Sequence, residues 1–337
     1  MKRPAFLRRV FRRLPAVARR DRRIADLQAR LSERREEQAS TASFQSRLFA
    51  ERRIREHEMQ MDAPPPSIIS NGKFWVYDLV RSHGVDVPTQ FGCWDDPVDI
   101  PFDKLPDKMV IKSAFGSTSR GVLPLRRSGH GWQIVTHDEN VTSEELMAVL
   151  RDRISSGQIR GPLGAEEFLD AETPDALPTD VKIYAFYGDV QMVLVARSHD
   201  HGDGGAVRYR VLDIHGADLI NADTHPALSP ATGREPEASL AQVDLTLPTP
   251  AGLGELVDVA SRLSVVMRIP FGRFDLYRIR DRVVFGEITP RPGGRQWFGS
   301  DLDARLGEAW EKAQARLAHD VAGGAAREPQ MGPHAIE

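Results

Sequence analysis

The stretch Gly272-Arg-Phe-Asp-Leu-Tyr-Arg-Ile-Arg-Asp-Arg-Val-Val-Phe-Gly-Glu-Ile-Thr-Pro-Arg-Pro-Gly-Gly-Arg295 reads as two apolar strands joined by a polar turn at Arg280-Asp281. Antiparallel pairing brings Asp275 on the first strand beside Glu287 on the second, and two hard oxygen donors at close range suit Mg²⁺ carrying nucleotide phosphates. Asp275 is flanked by Phe274 and Leu276, and a charge buried between apolar neighbours is costly without a partner. Arg273 lies two residues earlier, on the same strand face, within reach of the phosphates such a metal would hold. The alternative is an edge hairpin whose charges are solvated.

Upstream, Lys108-Met-Val-Ile-Lys112 is a short apolar strand ending in lysine. The small-residue loop after it carries Gly116, Ser117, Thr118, Ser119, Arg120 and Gly121. Glycines that permit close approach, with hydroxyl and backbone N–H donors, can cradle phosphate, although such a run also serves as a plain turn. The spacing is neither a P-loop nor a dinucleotide fingerprint. A helix is predicted over Asn71 to Gly84, and another opens at Thr142-Ser-Glu-Glu145 with the sequence of a capping box. Leu163-Gly-Ala-Glu-Glu-Phe-Leu169 reads as a strand, and alternation lets at most one of Glu166 and Glu167 face a given site. Thr179 to Gly188 and Val190 to Ala196 form a predicted hairpin with Lys182 inside its first strand.

The chain has 337 residues and a net charge of -3, but the charge is uneven. Residues 1–55 hold 17 Lys+Arg against 6 Asp+Glu, or +11, leaving 28 against 42, or -14, for the rest. At helical period, Phe6, Leu7, Val10, Phe11, Leu14 and Val17 fall on one arc and the arginines of that segment on the other. This fits an interfacial helix on anionic lipid over residues 1–20; a solvated basic extension, a helix docked on a partner and an organelle transit peptide fit it as well. No secretory signal or membrane span is expected. Residues 21–60 are helical and charge-laced, with a short coiled coil as one reading, so 1–62 is read as an arm. Pro64 to Pro66 then forms a linker at 63–66. The catalytic body is 67–320, and 321–337 is expected to be a disordered tail. One cysteine, Cys93, excludes a disulfide framework. The run His199-Asp200-His201 sits in a polar loop and reads as solvated. Only seven of the 45 basic residues are lysines, so Lys112 and Lys182 inside strands stand out.

In order and spacing, these stretches resemble the ATP-grasp superfamily and, within it, the TupA-like group named for a protein of teichuronopeptide synthesis. Lys73-Phe-Trp-Val-Tyr-Asp, Gly84-Val-Asp-Val-Pro88, Phe102 to Lys112, Pro178-Thr-Asp-Val-Lys182, Phe274-Asp-Leu-Tyr277 and Phe285-Gly-Glu-Ile-Thr289 carry the resemblance. It runs from about Lys73 to Gly307. It implies an α+β fold, two subdomains clasping ATP. It further implies that Lys112 and Lys73 hold the nucleotide, that residues 116–121 close over its β and γ phosphates, and that Lys182 contacts it. Glu166, Glu167, Phe168 and Leu169 would offer backbone hydrogen bonds to adenine. Asp275 and Glu287 would bind Mg²⁺, with Thr289 where related ligases often carry Asn. Arg273, Arg291 and Arg295 would stabilise the transferring phosphoryl group.

The implied activity is ATP-dependent joining of a carboxylate to an amine through an acyl phosphate. The carboxylate would belong to a uronic-acid polymer or an amino acid, in surface-polysaccharide or peptide-type synthesis in the cytoplasm, at the inner face of the membrane. A kinase on the same scaffold and a non-catalytic membrane scaffold are the alternatives, and no nucleic-acid partner is expected.

Overall fold

The computed structural model describes residues 23, 42–61, 72–115, 121–136, 138–170, 178–197, 208–220, 242–292 and 299–335. The amphipathic segment 1–20, the Pro linker at 63–66, Gly116, Ser117, Thr118, Ser119, Arg120, the His199-Asp200-His201 run and Arg295 lie outside them.

Two helices come first, α1 (Phe44–Glu58) and α2 (Gly72–Ser82). A six-stranded antiparallel sheet follows, built from β1 (Gln90–Trp94), β2 (Lys108–Ser113), β3 (Val122–Ser128), β4 (Gly131–Ile134), β5 (Glu139–Val141) and β6 (Leu163–Glu167) in the order β1-β6-β2-β3-β4-β5. Helix α3 (Ser143–Ser155) is closed at its start by Thr142 and Glu145, each accepting from the other's backbone N–H, as the sequence led us to expect. Alternation along β2 and β6 sends Met109, Ile111 and Ala165 into a core with Leu146 and Leu150 of α3. Val110, Lys112, Gly164 and Glu166 therefore share the other face.

The second six-stranded sheet has the order β10-β9-β8-β7-β11-β12, from β7 (Asp180–Phe186), β8 (Asp189–Arg197), β9 (Arg208–Leu212), β10 (Gln242–Val243), β11 (Gly272–Ile279) and β12 (Arg282–Thr289). On one face Val181, Ile183, Ala185, Phe274 and Leu276 pack against α2 and α4 (Leu253–Val266). On the other, Tyr184, Phe186 and Phe271 meet Trp310 of α5 (Ser300–Ala322) and Phe44 and Leu48 of α1.

That last contact ties part of the segment 1–62 to the second sheet. Phe44 and Leu48 are fully buried, with the Phe44 ring 5.0 Å from Phe271 and 5.6 Å from Trp310, and Gln45 N–H donates to Asp303 at 2.9 Å. Helix α1 belongs to the body because its aromatic side chain completes the second sheet's core. In the C-terminal segment, Gly332 N–H donates to Ser82 Oγ at 2.8 Å and His334 N–H to Ser82 O at 3.0 Å, at the end of α2.

Helix α2 touches both sheets. A Cβ at Gly164 would lie 2.0 Å from Phe74 Cζ, so only glycine lets the Phe74 ring approach the first sheet. The Tyr77 ring stands edge-on to Phe285 of the second sheet at 6.1 Å.

Candidate nucleotide and carboxylate site

The strand register sets the site. Lys182 on β7, Asp275 on β11 and Glu287 on β12 occupy one rung across three strands, and Tyr184, Arg273 and Thr289 the next. Because these residues alternate with core residues, their side chains share the face opposite α2 and α4. Lys182 Nζ reaches Asp275 Oδ2 at 2.7 Å and also meets Asp180. The Arg273 guanidinium forks onto Asp275, Nε to Oδ1 and Nη2 to Oδ2 both at 2.8 Å, and Nη2 donates to Thr289 Oγ1 at 3.1 Å. Lys73, near the start of α2, stands 3.6 Å from Glu287 Oε1.

Across the junction, Lys112 pairs with Glu166, which is 2% exposed. The Tyr77 hydroxyl lies 3.1 Å from Glu166 Oε2 and 3.0 Å from the Gly286 carbonyl oxygen, and Lys112 Nζ is 3.4 Å from that hydroxyl.

These contacts decide the charges. Burial opposes the ionised form of Asp275, but Arg273 and Lys182 outweigh it and hold the carboxyl below its usual range. For Asp180, burial dominates and the Asp275 charge adds to it, so that carboxyl is pushed up despite Lys182. Burial also works against Lys112 and Lys182, yet Glu166 keeps the first charged and Asp275 and Asp180 the second, both above the ordinary lysine value. Tyr184, buried beside Arg273, is raised to about 12.

Residues 242–311 match the family model of the TupA-like ATPgrasp proteins. The TupA-like segment contains β11, β12 and the start of α5, and so the whole Arg273–Asp275–Glu287–Thr289 arrangement. Lys73, Lys112, Glu166 and Lys182 lie outside the match and meet it only in space. No curated protein sequence matches the chain. Among solved structures it is similar to D-alanine–D-alanine ligase from Bacillus anthracis, at 14% identity over 74% of this chain and 69% of that one, with a TM-score of 0.44. It is similar to the ATP-grasp ligase PsnB complexed with a phosphomimetic variant of its minimal precursor, Mg and ADP, at 15% identity and a TM-score of 0.39. It is also similar to the D-cycloserine synthetase DcsG, at 14% identity over 72% of this chain and 70% of that one, TM-score 0.40. The PsnB match covers 73% of this chain, which spans 58% of PsnB's length. The two six-stranded sheets and the helices packed on them are the α+β class read from the sequence.

The expected site residues divide into those that converge and those that do not. Lys73, Lys112, Lys182, Arg273, Asp275, Glu287 and Thr289 gather around the TupA-like hairpin through the contacts above. Glu166 turns its side chain to Lys112. Glu167 faces the other way, accepting from Thr89 N–H at 3.1 Å and from Arg282 Nη2 at 3.1 Å. Phe168 and Leu169 are buried, the latter against Ile279 and Val284. The Gly121 carbonyl, just before β3, accepts from Ser113 N–H at the end of β2 at 2.9 Å. Arg291 stands apart beside α1, where burial and the neighbouring Arg55 pull its guanidinium down. Arg273, expected to face a phosphate, is committed to Asp275.

Three members of the site escaped the sequence reading. Tyr77 lies four residues after Lys73, hence on the same helical face. Asp180 lies two before Lys182, hence on the same strand face. Tyr277 is half-buried, packs beside Ile279 and Val284, and feels the charges of Asp180 and Lys112, its phenol being raised chiefly by desolvation; a Cβ at Gly286 would lie 2.4 Å from its ring.

The resemblance drawn from the sequence implies a divalent cation. No group of three His, Cys, Asp or Glu side chains that could hold a metal occurs among the described residues. The donor chemistry nevertheless fits Mg²⁺: Oδ2 of Asp275 takes two donors and Oδ1 one, leaving a lone pair, and Glu287 beside it is more open, at 39% exposure.

Proposed function

We propose that the protein is an ATP- and Mg²⁺-dependent carboxylate–amine ligase. The observation that carries this reading is the rung Lys182–Asp275–Glu287, which sets a lysine of β7 against the paired carboxylates of the TupA-like hairpin, with Lys73 opposite Glu287.

Lys112 and Lys73 would neutralise the nucleotide phosphates from β2 and α2. Mg²⁺ held by Asp275 and Glu287 would supply further positive charge there. The substrate carboxylate oxygen attacks the γ-phosphorus, the bond to ADP breaks, and an acyl phosphate forms. An amine then attacks the acyl carbon, phosphate leaves, and the nitrogen gives up its proton. Lys182 would counter charge on the moving phosphoryl group while Arg273 holds Asp275 in place, which is positioning and electrostatics and needs no protein nucleophile.

The substrates we propose are a surface-polysaccharide uronic acid or a peptide-type carboxylate, and an amino acid or other amine. Residues 1–20 would bring the enzyme to anionic lipid at the cytoplasmic face; no helix among the described residues is long and apolar enough to cross a membrane.

Incubation with ATP, Mg²⁺ and pooled carboxylates and amines should release ADP and yield an amide. Asp275→Asn and Glu287→Gln should each abolish that release. Normal turnover in both variants would defeat the proposal, and ADP formation independent of amine, with a phosphorylated alcohol as product, would make the protein a kinase.

A further inference from the structure

We infer that Tyr77 is a positioning residue that couples the nucleotide lysine of the first sheet to the carboxylate strand of the second. The inference rests on the reading of Lys112 as a nucleotide-binding residue.

The Tyr77 phenol is 1% exposed and edge-packed on both Phe74 and Phe285, at 6.3 and 6.1 Å, so its ring has one place to be. Its hydroxyl meets three groups from two sheets: Glu166 on β6, Lys112 on β2, and the carbonyl of Gly286, the residue before Glu287. A phenol has one proton, and here it faces two acceptors at 3.1 and 3.0 Å. Both cannot be served fully at once.

Arrival of a phosphate changes which acceptor needs the proton. Lys112 now balances Glu166, and turning its ammonium toward a polyphosphate would leave a carboxylate with almost no solvent access short of a partner, a costly state. Tyr77 is the donor already within range. By moving its proton from the Gly286 carbonyl to Glu166 it stabilises the released carboxylate, and the bond it gives up belongs to β12 at the residue adjoining Glu287. Nucleotide capture on the first sheet is thereby linked to the setting of Glu287 on the second.

Tyr77→Phe keeps the ring and both edge contacts and removes only the hydroxyl. Calorimetric titration of the full chain with ADP and Mg²⁺ should show binding roughly 10- to 100-fold weaker than wild type, the range for a hydrogen bond to a charged group. Tyr77→3,5-difluorotyrosine, which retains the hydroxyl as a stronger donor, should fold like wild type and bind a few-fold tighter. A merely structural tyrosine would lower the unfolding midpoint of the Phe variant without this opposite movement of affinity in the fluorinated one. Wild-type binding with affinity unchanged in both variants would overturn the role of Tyr77 alone. No binding by wild type would overturn the ligase reading and the coupling built on it.

Discussion

Lys182 and Asp275, opposite one another in the register of β7 and β11, form a 2.7 Å ion pair on the face of the second sheet that carries the site. Ninety-three residues separate them in the chain. The pair is the centre of a larger balance in which Arg273 and Lys182 flank Asp275, and Asp180 shares the lysine. One oxygen of Asp180, Oδ1, is shielded from solvent with no hydrogen-bond partner among the described residues.

Removing the central anion should be expensive. Asp275→Asn leaves two cations facing a neutral amide, and we expect a loss of about 3–5 kcal/mol at pH 7, the usual effect of breaking a buried pair. The folded protein holds Asp275 below its unfolded value, so its contribution is present above about pH 3.9 and fades as pH falls through the depressed value. The gap between wild type and variant in urea unfolding should therefore be level from about pH 5 to 7 and narrow in stronger acid. Asp180, raised when folded, runs the other way: its contribution is full below about pH 3.9 and declines as pH rises through the raised value.

Lys112→Met should destabilise by a similar amount, about 3–5 kcal/mol, because it removes the cation paired with buried Glu166 and leaves that carboxyl only Tyr77. Adding Glu166→Gln should restore part of the loss. A double-mutant cycle in chemical denaturation should show coupling of about 0.5–3 kcal/mol; strict additivity would mean the two side chains do not share one balance.

Gly164→Ala places a methyl 2.0 Å from Phe74 Cζ, and α2 must shift to accept it. A cost of about 1–3 kcal/mol is expected from overpacking. Because α2 also carries Lys73 and Tyr77, ADP affinity should fall with it, and Phe74→Leu in the same chain should recover both. A thermal midpoint unchanged by Gly164→Ala would contradict the packing described.

Truncation separates the basic segment from the body. A chain beginning at Ala42 should keep its unfolding midpoint, since the buried part of α1 starts at Phe44. A chain beginning at Met61 should lose stability severely, and Phe44→Ala alone should cost about 3–5 kcal/mol. Vesicle binding compared between full chain and the Ala42 start then tests residues 1–41 for anionic lipid without disturbing the core.

Much of this molecule was legible in local sequence. The turn at Arg280-Asp281 starts the pairing of β11 with β12, but register counted from it would set Asp275 against Gly286, and only a bulge between Asp275 and Leu276 brings Glu287 opposite; the opposed faces of Glu166 and Glu167 and the Thr142 cap do follow from short-range rules. The contacts that gather the charged side chains did not follow. Nothing local states that β7 lies against β11, that Tyr77 reaches both Glu166 and Gly286, or that the charge-laced helix at Phe44 is core. Arginines on α1 masked the two side chains that bury it, and a tail rich in Gly and Ala carries no sign of its seat on Ser82. Sequence by itself determined which residues could be strand, turn and cap, because those depend on neighbours a few positions away. Tertiary structure alone decided which cation meets which carboxylate, because that depends on closing long loops between strands and on burial that makes an unpartnered charge costly.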